Sequence, residues 1–222
     1  MKNTIIYTVV SILLIVGFLF AAYKFTGSSP KSTLFPEVSK IASDDHIKWS
    51  KEKKHILVEY SDIQCPACKN FHDYIVQDLE TTRSGQIDVT KNITFVFRHF
   101  PLSDIHDHAQ EAAWAAEAAG TQGKFFEYTN TLFDRQAEWE KLPDVKNHFI
   151  SVAKELKLDT DKFTKDMDSN KVKNRVERDY KNGVKFQVNA TPTFYLDGKK
   201  IDSIRSFEEF RKLLEDAAKS SK

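Results

Sequence analysis

Cysteine is almost missing from this chain: 222 residues carry two, Cys65 and Cys68, three positions apart. A framework of several disulfides, the device of small secreted domains, is therefore excluded. An excess of either charge is missing too. Lys and Arg number 33 against 32 Asp and Glu, interleaved along the chain, so no basic stripe exists to hold phosphates and nucleic acid is excluded as a partner. Internal repeats are absent. What is present is the balance of an ordinary folded domain, 41% hydrophobic and 29% charged, with room for one large core or two small ones.

The N-terminus differs from the rest. Ile5 to Tyr23, IIYTVVSILLIVGFLFAAY, runs 19 residues without a charge. As a helix it is roughly 28 Å long, close to the hydrocarbon thickness of a bilayer. A cleaved signal peptide would have a shorter apolar run and an A-x-A-like site after it, which AAYKFTGSSP does not offer, so residues 1–24 are expected to be a membrane anchor or signal-anchor. Lys2 lies on one side of the segment and Lys24, Lys31 and Lys40 near the other, which counts mildly against export, although long domains translocate largely regardless of such charges. Residues 25–45, with Gly, Pro and Ser and no helical period, read as a linker.

Beyond the linker, HILVEY (55–60) and ITFVF (93–97) read as strands. Phe71, Tyr74, Ile75 and Leu79, at spacings of three and four, mark a helix directly after the cysteines. From Ser103 the pattern is helical for some eighty residues: an alanine-dense segment ending at Gly120, an aromatic one, a helix carrying Val145, Phe149, Val152 and Leu156, a short one behind an Asp or Thr cap, and one marked by Val172, Val176 and Tyr180 before Gly183. Two strands joined by Asp197-Gly198 follow, then a last helix opened by a Ser206/Glu209 capping box. The expected architecture is an α/β sheet interrupted by a helical insertion.

Three readings of the cysteine pair compete. As a staple it closes too short a ring to contribute more than about 2 kcal/mol. As half of a zinc site it would need His72, His99, His106 or His108, but the finger spacing is missing and residues 106 and 108 would point apart on a helix. As a redox pair it is well placed. A C-x-x-C that ends a strand and opens a helix sets Cys65 where free backbone N–H groups and the helix dipole stabilise a thiolate, and Pro66 suits the first turn because its missing N–H has no partner to lose. Such positions lower a cysteine pKa from about 8.5 to about 3.5–7.5, which stabilises the dithiol and makes the disulfide more oxidising.

LVEYSDIQCPACKNFH, FRHFPL, AAWAAEAAGTQGKFFEYTNTLF, LKLDTDKF and VNATPTFYLDGK, in this order, resemble the successive signatures of DsbA-like thiol:disulfide oxidoreductases of the thioredoxin superfamily, over about residues 43–219. The resemblance implies a thioredoxin fold (46–102 and 187–222) with an inserted helical domain (103–186). It makes Cys65 the nucleophile and Cys68 the resolving thiol, and it matches Thr191 and Pro192 to a substrate-binding loop with a cis-proline; on the residues alone a trans proline at an edge strand reads better. Glu59, six residues before Cys65, matches an acid that exchanges the proton of Cys68, and reads equally as an exposed sheet-end residue. Pro66 is shared with the best-known oxidases, whereas Ala67 replaces a histidine that helps stabilise the thiolate, so Pro66 and Ala67 are the residues expected to tune the redox strength.

The function so implied is a membrane-anchored, extracytoplasmic oxidoreductase that introduces disulfides into exported proteins with free thiols. A membrane quinone-linked or thiol redox partner would recycle it. No metal or organic cofactor is implied, because the cysteines carry the electrons. A lack of further thiols suits an oxidising compartment. The rivals are a reductase or isomerase on the same fold, and a non-catalytic zinc or structural-disulfide protein. NIT and NAT match glycosylation acceptors and read as incidental.

Overall fold

The computed structural model describes Tyr7 and residues 12–21, 33–81, 86–202 and 204–220. The chain divides into two units, Met1–Thr33 and Leu34–Lys222. In the first, residues 12–21 are helical with exposed side chains. Among the described residues no helix is long and apolar enough to cross a membrane; of the expected span, residues 5, 6, 8–11, 22 and 23 lie outside them, as do residues 25–32 of the expected linker.

The second unit is built on a five-stranded sheet: β1 (His46–Trp49), β2 (His55–Ser61), β3 (Ile93–His99), β4 (Thr193–Leu196) and β5 (Lys199–Lys200), in the order β1-β3-β2-β4-β5. The β2/β3 pair is parallel and the other pairs are antiparallel. Helix α1 (Pro66–Tyr74), continued by a π-helical turn over Ile75–Leu79, makes the crossover between β2 and β3. Between β3 and β4 come α2 (Ala109–Gly120), α3 (Phe125–Asp134), α4 (Gln136–Trp139), α5 (Lys146–Glu155), α6 (Thr160–Met167) and α7 (Asn170–Lys185); α8 (Phe207–Lys219) follows β5. This is the expected thioredoxin fold with a helical insertion.

Side chains alternate across a strand, and here the alternation separates two cores. Leu57, Phe95, Phe97 and Phe194 join α1, α8 and the inserted helices in the larger one, while Val58, Tyr60, Val96 and Tyr195 join Val38, Phe100 and Phe186 on the opposite face. Glu59 shares the parity of Leu57, so it points into the larger core on the same face as α1.

Several local expectations change. Residues 34–45, expected as part of the linker, lie on the sheet: Phe35 N–H donates to the Gly198 carbonyl at 2.7 Å, Val38 is fully buried, and Arg98 of β3 bonds the Val38 carbonyl, the Lys40 carbonyl and the Asp45 carboxylate. All these partners are distant in sequence, so no local period could reveal them. Strand β1 was likewise hidden. Gly183 does not end its helix; a Cβ there would meet the Phe100 ring at 2.5 Å, so the glycine serves close packing instead. The β4/β5 turn is as expected, with positive φ at Asp197 (51°) and Gly198 (83°). Ser206 caps α8 by accepting from Glu209 N–H, while the Glu209 carboxylate reaches Arg205 N–H rather than Ser206, so the box is displaced by one residue.

Candidate active site

Strand β2 ends at Ser61, and four residues later the chain enters α1. Cys65 is the N-cap, in extended conformation, and Pro66 takes the first helical position. The intervening turn is held from several sides. The Asp62 carboxylate accepts from Gln64 N–H at 2.8 Å, from Leu102 N–H at 2.9 Å and from the His106 ring at 2.7 Å. Gln64 accepts from His108 N–H and donates to the Glu140 carbonyl, and Gln136 donates to the carbonyls of Ile63 and Cys65. These residues escaped the sequence reading, because a polar side chain that positions a turn from forty or seventy residues away has no spacing to betray it.

Cys65 and Cys68 are unbridged thiols, 7% and 0% exposed. The pair is electrostatically unequal. The Cys65 pKa is lowered to about 5: a hydrogen bond from the Cys68 thiol contributes most, burial opposes it, and Thr191 and the backbone N–H groups of Cys68 and Ala67 add to the lowering. Those two N–H groups are free donors of the first helical turn, the positive end of the helix dipole, which favours an anion at the Cys65 sulfur. The Cys68 pKa is raised well above the usual thiol value, first by burial and then by Cys65 and Glu59. Pro66 and Ala67 are exposed, and Ala67 acts on the sulfur only through its backbone.

The Thr191–Pro192 bond is cis, and the Thr191 carbonyl oxygen lies 3.5 Å from Cys65 Sγ. The loop separates two surface depressions. One, of about 520 Å³, is lined by Cys65, Leu102, Ile105, His106, Tyr180 and Thr191; the other, of about 440 Å³, by Phe71, Ala190, Pro192, Phe194, Ile201 and Ile204.

Glu59 is 3% exposed. Burial pushes its pKa up to about 7; Ser61 and the Lys48 ammonium pull it back, and the Cys65 charge raises it. It lines a cavity of about 10 Å³ together with Lys48, His72, Thr129 and Asn130, which is room for about one water. Lys48 reaches this face from β1, held by Glu80 at 2.5 Å and lying 5.0 Å from the Phe95 ring. His72 stacks on Phe133 with ring centroids 4.6 Å apart, and burial followed by the Lys48 charge lowers its pKa to about 4.

The other histidines offered as partners for the cysteines are engaged elsewhere. His99 bonds Glu117, His106 bonds Asp62 and His108 bonds the Leu142 carbonyl. The last two precede α2 rather than lying in it, so the expectation that they diverge on a helix does not apply.

Among solved structures the fold is similar to BdbD from Bacillus subtilis (TM-score 0.70, 21% identity, covering 86% of this chain and 100% of that one). It is also similar to alpha-DsbA1 of Wolbachia pipientis (TM-score 0.69, 19% identity, 82% and 95% covered). In sequence the chain is 35% identical over 156 residues to a protein named Na(+)/H(+) antiporter NhaA 1 from Salinispora arenicola, covering 70% of this chain and 22% of that protein. A similar match of 35% over 157 residues is to the NhaA of Herminiimonas arsenicoxydans, 71% and 23% covered. The chain thus spans less than a quarter of the length of these relatives. A family model described as Thioredoxin matches residues 44–216, and with the fold, the cysteine at the helix start and the cis-proline loop in view, the chain belongs to the thioredoxin family.

Proposed function

We propose that the chain is a protein thiol:disulfide oxidoreductase that oxidises thiols of exported proteins from a membrane-anchored, extracytoplasmic position. The observation that carries the chemistry is the inequality of the two sulfurs: Cys65 caps a helix beside the Thr191 carbonyl with a pKa of about 5, and Cys68 is buried with its pKa raised.

In the disulfide form a substrate thiolate attacks Cys65 Sγ, the sulfur within reach of solvent. The Cys65–Cys68 bond breaks and Cys68 leaves as a thiolate. Its burial favours protonation, and Glu59, with a pKa of about 7 and near enough to raise that of Cys68, is suited to deliver the proton. A second substrate thiolate then attacks its partner sulfur in the mixed disulfide, and Cys65 leaves as a stable anion. Substrate loses two electrons and two protons, and the chain ends as the dithiol. A redox partner, quinone-linked or thiol, returns it to the disulfide.

The Thr191–Pro192 segment offers main-chain groups to an extended substrate, and the depression around Phe71, Phe194 and Ile204, edged by Asn189, Lys200 and Asp202, can take a neighbouring side chain. Export and anchoring rest on the apolar run of residues 5–23 and on the lack of further thiols. The test is stoichiometric oxidation of a reduced, unfolded cysteine protein by the disulfide form. Transfer should be complete in the wild type and lost in Cys65→Ala; persistence in that variant refutes the reading. For the anchor, membranes washed at high salt should retain the chain, and release of a form beginning near residue 24 would overturn it.

A further inference from the structure

Outside the cysteine pair, one group of three ligand-type side chains gathers among the described residues. A ring nitrogen of His72 and carboxylate oxygens of Asp73 and Asp134 lie within 4.8 Å of one another. His72 and Asp73 are near the end of α1, and Asp134 is the last residue of α3. The two helices already touch.

His72 distinguishes this group from a pair of surface acids. The residue is 8% exposed, its ring lies flat on Phe133, and no hydrogen bond to either ring nitrogen exists among the described residues. One of its ring nitrogens faces two carboxylates within 4.8 Å. A cation already occupies part of the place: Lys69 Nζ donates to both oxygens of Asp73, at 3.1 and 2.8 Å.

We infer that His72, Asp73 and Asp134 form a site for a divalent cation of the zinc class, which ties the redox helix α1 to α3 of the insertion. One imidazole and two carboxylates suit a borderline first-row ion with water completing its sphere, rather than calcium, which takes oxygen alone, or copper(I), which prefers sulfur. Ion binding takes the Asp73 carboxylate from Lys69, so the lysine competes with the metal.

The experiment is calorimetric titration of the full chain with zinc chloride, in the disulfide form so that thiolates cannot ligate. The expected result is one ion per chain, with affinity falling about tenfold or more in Asp134→Ala and in His72→Phe, the latter keeping the stack on Phe133. Lys69→Gln should bind more tightly than wild type, and the thermal midpoint of the wild type should rise with zinc while that of Asp134→Ala does not. Asp134 is exposed, so its variant keeps the fold and remains informative if His72→Phe does not. Failure of the wild type to take up a saturable equivalent, or equal affinity in wild type and Asp134→Ala, overturns the site.

Discussion

Changing Cys68 to alanine removes the thiol that contributes most to the low pKa of Cys65. With a pKa of about 5, Cys65 is about 99% thiolate at pH 7, whereas an ordinary thiol of pKa 8.5 is about 3% ionised. Ionisation two pH units above the pKa stabilises the dithiol by at most about 2.7 kcal/mol, less whatever solvent screens at the open side of the sulfur. For a two-electron couple this corresponds to a disulfide more oxidising by up to about 60 mV. The gain lies in Cys65 as a leaving group, because a low pKa weakens a thiolate as a nucleophile while easing its departure. The sign follows from the depressed value: stabilisation of the folded dithiol is present above the ordinary thiol pKa and is lost as pH falls through about 5. Accordingly, the potential should fall by about 30 mV per pH unit above pH 5 and by about 59 mV below it. Thiolate absorbance followed against pH is the assay. The wild type should titrate near pH 5; Cys68→Ala should titrate higher but below 8.5, since Thr191 and two backbone N–H groups still act on the sulfur. A wild-type midpoint at 8.5, or no change on removing Cys68, would refute this reasoning.

Glu59→Gln removes a buried acid whose pKa is raised to about 7, so the variant should be more stable than wild type by about 3 kcal/mol at pH 8 and nearly equal to it at pH 4, measured by urea unfolding of the disulfide form at both values. The same variant should slow oxidation of substrate, and an unchanged rate would remove Glu59 from the proton path. Asp45→Ala strips the carboxylate from Arg98 and leaves a buried guanidinium; destabilisation of about 3–5 kcal/mol is expected in denaturant titration. Asp62→Ala frees three donors around the turn before Cys65, so the Cys65 pKa should rise as the helix start loosens, readable by the same thiolate titration. Gly183→Ala drives a Cβ against the Phe100 ring and should lower stability by about 1–3 kcal/mol, read from the urea midpoint.

Much of this site is written locally. A strand, a polar turn, C-x-x-C with proline at the second position and an amphipathic helix fix the inequality of Cys65 and Cys68, because helix-start electrostatics depend on neighbours within one turn. The β4/β5 hairpin was legible for the same reason, its Asp-Gly turn specifying its own geometry. Glu59 was ambiguous: HILVEY has apolar residues at both parities, and only the packing of α1 and the inserted helices over one face decides that its carboxyl is buried. Arg98 and Asp45 were invisible because their pairing joins β3 to a segment that carries no period at all. The grip of Asp62, Gln64 and Gln136 on the active turn was hidden likewise. Each uses a common polar residue, and its partners are set by how the insertion lies against the sheet. The cis-proline loop followed from the family resemblance and not from any property of Thr191 or Pro192.

The proposed direction of electron flow is tested most directly by the equilibrium potential of the Cys65–Cys68 couple against glutathione at pH 7. A thiolate stabilised to a pKa of about 5 predicts a potential clearly above about −270 mV, the value for thioredoxin, so that the disulfide form oxidises glutathione. A value at or below about −270 mV would make the chain a reductant and contradict the oxidase reading.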